Sequence, residues 1–119
     1  MYKTLTITVI IPCLNEEQGI EKVLRAMPEF VDEVIVVDNN STDRTSDVAA
    51  ALGAKVVREQ VRGYGRSYKR GFAEATSDVI ITLDGDHSYP VDAISYLIEA
   101  FLHLEVDFQI GRASCRERV

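Results

Sequence analysis

Three short runs constrain what this 119-residue chain can fold into: Leu5-Thr-Ile-Thr-Val-Ile-Ile11, Val34-Ile-Val-Val37 and Val79-Ile-Ile-Thr-Leu83. They are β-branched, and they do not alternate cleanly between apolar and polar residues. A strand with one wet face alternates; a strand covered on both faces reads as a continuous run. Helical patterns separate the runs. Ile20, Val23, Leu24 and Met27 fall at i, i+3, i+4 and i+7, a stripe that begins at about Glu16 and ends before Pro28. Thr42 or Asp43 is placed to cap a second helix that runs to Leu52, with Gly53 as its stop. Lys55 to Arg58 forms a short third strand, and a helix follows the glycine-rich segment Gly63 to Gly65 and continues to about Ala75. Pro90 opens a last helix carrying Ile94, Leu97, Ile98, Phe101 and Leu102, and Val106 and Phe108 start a fifth strand. Pro12 is expected to end the first strand.

Buried strands alternating with helices predict an α/β fold. The expected architecture is a Rossmann-like, mostly parallel half-sheet with helices on both faces, cut short before the rest of its domain. The composition agrees: 46% hydrophobic, 27% charged and no Trp. A formal charge of −6 without a Lys/Arg run argues against a nucleic-acid partner. No apolar stretch approaches the roughly 20 residues of a membrane helix. Cys13 and Cys115 lack metal-ligand spacing, which suits a cytoplasmic, reducing setting. The segment Ile110 to Val119 has three Arg and no apolar period. It resembles a translated sequencing adapter, so residues 1–109 are expected to be the natural unit and residues 110–119 a non-native tail.

In open parallel sheets ligands bind beyond the carboxyl ends of the strands. Three such ends are polar and acidic here: Pro12-Cys-Leu-Asn-Glu16, Asp38-Asn-Asn-Ser-Thr-Asp43 and Asp84-Gly-Asp-His-Ser88. Asn15, Ser41, Thr42 and Asp43 also suit caps and turns. Asp84 and Asp86 lie two apart, so an extended backbone projects both to one side. Two like charges there call for a cation, and hard carboxylate oxygens suit Mg²⁺ or Mn²⁺. Gly85 between them bares the backbone to a ligand. Asp84, Asp86 and Ser88 imitate the start of an EF-hand loop, but Tyr89 and Ser95 stand where that loop needs Gly and Glu. The glycines at 63, 65 and 71 do not form a dinucleotide fingerprint. Lys69 and Arg70 read as a solvated helix face, and Cys13 has no His partner that would make it a nucleophile.

Taken in order, Pro12-x-Leu-Asn-Glu16, Asp38-Asn-Asn-Ser-Thr-Asp-Arg-Thr45 and Asp84-Gly-Asp86 resemble the signatures of family 2 glycosyltransferases of the GT-A fold. The stretch Arg62-Gly-Tyr-Gly-Arg-Ser-Tyr-Lys-Arg-Gly-Phe72, with Asp86-His-Ser-Tyr-Pro90, resembles the polyprenyl-phosphate branch, the relatives of dolichyl-phosphate mannose synthase. The resemblance implies a metal-dependent, inverting transfer of a sugar from a UDP- or GDP-linked donor to an acceptor, a polyprenyl phosphate at a cytoplasmic membrane face. It implies that Pro12, Leu14 and Glu16 line the base and ribose pocket and that Val36 and Asp38 complete it. Asp84 would touch the ribose or a metal-bound water, Asp86 would hold the metal, and Ser88 would lie beside it. Asn39 departs from a family that often has a second acid there. The acceptor-side base would lie beyond this chain, so the 119 residues alone are expected to be inactive. A nucleotidyltransferase-like enzyme and a non-catalytic nucleotide-binding fragment are the alternatives.

Overall fold

The computed structural model describes residues 4–83 together with Gly85, Ile94, Tyr96, Glu99 and the backbone of Ser114 and Cys115. The elements are β1 (Ile7–Cys13), α1 (Glu17–Arg25), β2 (Glu33–Asp38), α2 (Thr45–Ala51), β3 (Lys55–Arg58), α3 (Tyr64–Glu74), β4 (Val79–Thr82) and β5 (Ser114–Cys115). The sheet order is β3-β2-β1-β4-β5. The first four strands are parallel, and β5 runs antiparallel to β4 through Ile81–Cys115 and Thr82–Ser114. The expected fifth strand at Val106 and Phe108 lies outside the described residues. A described pairing falls at Ser114–Cys115, in the segment expected to be a non-native tail.

The order of the strands explains where the helices go. The chain steps from β1 to β2 to β3 in one direction, then returns past β1 to β4. Right-handed crossovers in opposite directions land on opposite faces of a sheet. Helices α1 and α2 therefore cover one face and α3 the other. The strand period of two sorts the side chains accordingly. Ile7, Val9, Ile11 and Cys13 of β1 pack with Val36, Val79 and Ile81 against Ile20 and Val23 of α1 and Ala49 of α2. Ile10, Ile35, Val37, Val57 and Ile80 pack against Phe72 and Ala75 on the α3 side. Every residue of β1 is buried, as a strand covered on both faces requires. Ile94 is helical and fully buried in the α1/α2 core, as the periodicity predicts.

Pro12 does not end β1; it sits inside the strand, opposite Val37. Alternate residues of a strand direct their backbone groups to alternate neighbours. Cys13 O accepts from Asn39 N on the β2 side at 2.8 Å, and Ile10 O accepts from Leu83 N on the β4 side at 3.0 Å. Pro12 therefore faces the β4 side, beyond the last paired residues, Ile10 and Thr82. Its missing N–H costs no rung of the ladder.

The other boundaries follow local chemistry. Gly53 ends α2 at φ +91°, a left-handed conformation that glycine adopts without strain. Gly71 lets α3 lie close on the sheet: a Cβ there would meet Ile10 Cγ2 at 2.6 Å. At the amino end of the sheet, Asp78 Oδ2 accepts from Thr6 N at 3.0 Å and Asp32 Oδ2 accepts from Ile7 N at 2.7 Å. Among the described residues no helix is long and apolar enough to cross a membrane.

Candidate functional site

The strand order changes direction between β1 and β4, the place where open α/β sheets bind ligands. A cavity of about 280 Å³ opens there on the α3 side. The end of β1 supplies Pro12, Cys13, Leu14 and Glu16. Asn39 after β2, Gly63 and Ser67 at the start of α3, and Gly85 after β4 complete the wall, with Arg62 and Tyr64 at the rim. Tyr64 is 70% exposed and stacks on Tyr68, which stacks on Phe72, with centroids 6.3 and 6.1 Å apart.

Of the residues expected to contact a nucleotide sugar, the structure brings Pro12, Leu14, Glu16 and Gly85 together in this cavity. It does not bring Val36 or Asp38 there. Val36 is fully buried in the α1/α2 core, and Asp38 is 1% exposed. The Asp38 carboxylate accepts from Ser41 N at 2.9 Å and from the Ser46 hydroxyl. The physical reason is strand parity: residues 36 and 38 share the α1/α2 face, whereas 35, 37 and 39 share the α3 face. Asn39 therefore meets the cavity in place of Asp38. Asp84, Asp86 and Ser88 lie outside the described residues. Gly85, between the two acids, is buried, and a Cβ on it would come within 2.5 Å of Cys13 Sγ. Its bare backbone thus serves a close approach to β1 as well as to the cavity.

Asn39 holds one wall. Its amide nitrogen donates to Glu59 O at 2.8 Å and Val61 O at 2.9 Å, and its amide oxygen accepts from Gly63 N at 2.9 Å. A carboxylate cannot donate, so Asp at this position could not make the first two bonds. The departure from the family's second acid thus has a structural use: it pins the segment that leads into α3. Sequence reasoning missed this role and the placement of Ser67 in the cavity wall. Ser67 is 1% exposed, and its hydroxyl has no hydrogen-bond partner among the described residues. The available signal was the position of Ser67 one turn after Gly63-Tyr-Gly65, which becomes informative only once α3 is placed against β1.

On the opposite side of the same strand ends the polar residues clasp one another. Asn15, at φ +55°, accepts through Oδ1 from Thr42 N at 2.8 Å and Asp43 N at 3.3 Å, and its own N–H donates to Ser41 Oγ at 2.9 Å. Glu16 N donates to Thr45 Oγ1 at 2.9 Å, and Glu17 N to Asp43 Oδ2 at 3.3 Å. Neither α1 nor α2 has a side-chain cap at its own N-cap residue. The exposed amides of α1 are satisfied by the neighbouring loop instead, which meets the same requirement from a distance. Burial pushes the Asp43 carboxyl up. Hydrogen bonds from the Thr45 hydroxyl, the Thr45 N–H and the Glu17 N–H outweigh it and hold the group below its usual range.

Comparison with known proteins adds the lineage. Residues 8–117 match the family model described as glycosyl transferase family 2. The chain is 34% identical to protein RfbJ of Shigella flexneri over 98% of its own length and 90% of that protein. It is 42% identical to an uncharacterised glycosyltransferase of Mycobacterium tuberculosis over 89% of this chain and 48% of that one. It is 33% identical to a dolichol-phosphate mannosyltransferase of Pyrococcus furiosus over 81% of this chain and 30% of that one. Among solved structures it resembles glucosyl-3-phosphoglycerate synthase of Mycobacterium tuberculosis, crystallised with Mn²⁺, uridine diphosphate and glucosyl-3-phosphoglycerate. The TM-score is 0.73 at 33% identity, covering 83% of this chain and 40% of that one. The chain thus spans about half the length of the mycobacterial relative and less of the others, RfbJ excepted. Fold, strand-end motifs and sequence agree: this chain belongs to glycosyl transferase family 2.

Proposed function

We propose that the protein to which this chain belongs transfers a sugar from a UDP- or GDP-linked donor to a polyprenyl phosphate, with inversion at the sugar. The observation that carries the reading is the cavity at the β1/β4 switch point, where Pro12, Leu14, Glu16 and Gly85 converge. Its apolar and polar walls suit the base and ribose of a nucleotide. The relative solved with uridine diphosphate and Mn²⁺ supports the same ligand class.

A divalent ion fits the chemistry next to this cavity. Among the described residues no group of three acidic, His or Cys side chains could hold a metal. Asp84 and Asp86, however, flank Gly85, which is buried against Cys13 at the cavity wall. Their carboxylates would hold Mg²⁺ or Mn²⁺, leaving most coordination positions to phosphate and water. Bound there, the ion would offset negative charge on the leaving diphosphate. Val36 and Asp38 support the site from behind, Asp38 by ordering the loop after β2, and Ser88 is assigned to the surroundings of Asp86. Pro12 and Leu14 exclude water from the base. A polyprenyl phosphate is already an anion and needs no general base.

The mannosyltransferase relative favours a lipid-phosphate acceptor, whereas the solved synthase favours a soluble phosphorylated acid. A thermal-shift titration with UDP-glucose and GDP-mannose, each with and without Mn²⁺, tests the donor site. The expected result is a Mn²⁺-dependent rise in Tm with one donor, lost in Asp86→Ala. No rise with either donor overturns the reading. Adding a short-chain polyprenyl phosphate or 3-phosphoglycerate to the donor complex then tests the acceptor: a further rise with the lipid is expected, and a rise with the acid alone overturns that part.

A further inference from the structure

The cavity contains one group that the fold leaves unsatisfied. Ser67 sits one turn into α3 with 1% of its surface exposed, the residue lines the cavity, and among the described residues no atom pairs with its Oγ. A buried hydroxyl without a partner is destabilising, and such groups are uncommon in folded proteins. A mid-helix serine can relieve itself by bonding to the carbonyl four residues back. Here Gly63 O accepts from Ser67 N at 3.1 Å, and the hydroxyl makes no such bond.

The second observation is the helix end itself. Helix α3 is 11 residues long, and its N-cap, Gly63 at φ +139°, has no side chain with which to cap it. The first amides of a helix have no intrahelical partner, and they carry partial positive charge. The Gly63 N–H is taken by Asn39 Oδ1, so the first of these amides is that of Tyr64, which lies on the wall of the same cavity as Ser67. Hydrogen-bond donors and one unpaired hydroxyl therefore border a single space, whose opposite wall is Pro12, Cys13 and Leu14.

We infer that Ser67 Oγ, together with the amides at the start of α3, recognises a carbonyl oxygen on the edge of the donor's nucleobase, making Ser67 a base-binding residue. The inference rests on the nucleotide-sugar reading above and adds to it a residue outside the family's strand-end signatures. A neutral base suits the position better than a phosphate. Ser67 is deep, and Arg62, the one cation on the described wall, stands exposed at the rim. A diphosphate placed against Pro12 and Leu14 would lose its hydration without a buried counter-charge.

The test is titration calorimetry of the 119-residue chain and its Ser67→Ala variant, with UDP, GDP and inorganic pyrophosphate in the presence of Mn²⁺. Alanine removes only the hydroxyl and favours the helix, so the variant should melt at the same temperature or higher. The better-binding nucleotide should bind about fivefold to tenfold more weakly to the variant, the equivalent of one lost hydrogen bond. Pyrophosphate affinity should not change. Equal nucleotide affinity in both proteins overturns the role of Ser67 while leaving the nucleotide site standing. A loss of pyrophosphate affinity of the same size assigns the hydroxyl to phosphate and overturns the base contact. A lower Tm in the variant shows that Ser67 has an internal partner and also overturns it. A wild-type chain that binds neither nucleotide overturns the nucleotide reading itself, a result that no behaviour of the variant can mimic.

Discussion

The two faces of the sheet treat the same strand ends differently. On the α1/α2 face, Asn15, Asp38, Ser41, Asp43 and Thr45 close on one another through hydrogen bonds between the loops after β1 and β2. On the α3 face, a cavity remains, with an unpaired Ser67 hydroxyl and an uncapped helix start. The first region is saturated and the second has unused hydrogen-bonding capacity. Signature residues of the family thus also serve the fold, as Asp38 does through Ser41 and Ser46. Several of them here build the clasp that holds two strand ends in register, and the cavity proposed for the nucleotide lies on the other side of the sheet.

The largest effect is expected where the clasp is most buried. Asp38→Ala leaves Ser41 N and the Ser46 hydroxyl without their acceptor and should cost about 2–3 kcal/mol in urea unfolding. Unchanged stability with lost nucleotide binding would reverse the comparison and return Asp38 to the ligand side. Gly71→Ala drives a methyl against Ile10 and should cost about 1–3 kcal/mol by overpacking, read from the same unfolding curves. If it is silent, α3 is not seated tightly enough to define the cavity.

Asn39→Asp sharpens the contrast between the faces. It removes two donors and sets a carboxylate against the carbonyls of Glu59 and Val61, so about 1–2 kcal/mol should be lost. Nucleotide affinity should fall with it, because the wall leading into α3 loosens; affinity that rises would mean that an acid at 39 contacts the ligand directly. The smallest effect concerns pH. The Asp43 carboxyl has a folded-state pKa below its unfolded one. Its contribution to stability is therefore present above roughly pH 4 and is lost as pH falls through the lower, folded value. Acid titrations of Tm should show a shallower slope below pH 4 in Asp43→Asn than in the wild type, and identical slopes would remove Asp43 from the clasp.

Most of the fold was legible in the chain itself. The continuous runs marked β1, β2 and β4 as doubly covered strands, and the stripe from Ile20 to Met27 marked α1. Gly53 ended α2 as its conformational freedom predicts. Pro12 was misjudged because a proline ends a strand only where its missing N–H is needed, and that depends on how far β4 extends. The resemblance grouped Pro12, Leu14 and Glu16, and the structure brings them with Gly85 to one cavity, but the partners of Asn39 and the orphan at Ser67 were not legible.

The sequence by itself determined the elements, their order and the gathering of polar residues at the carboxyl ends, because hydrophobic period and turn chemistry act over a few neighbouring residues. Only the tertiary structure decided which of those residues share a space. Handed crossovers put α3 on the face opposite α1 and α2, and a strand period of two then sent Asn39 to the cavity and Asp38 to the clasp. One residue of register separates these fates, and register is fixed by the packing of the whole sheet rather than by any segment of it.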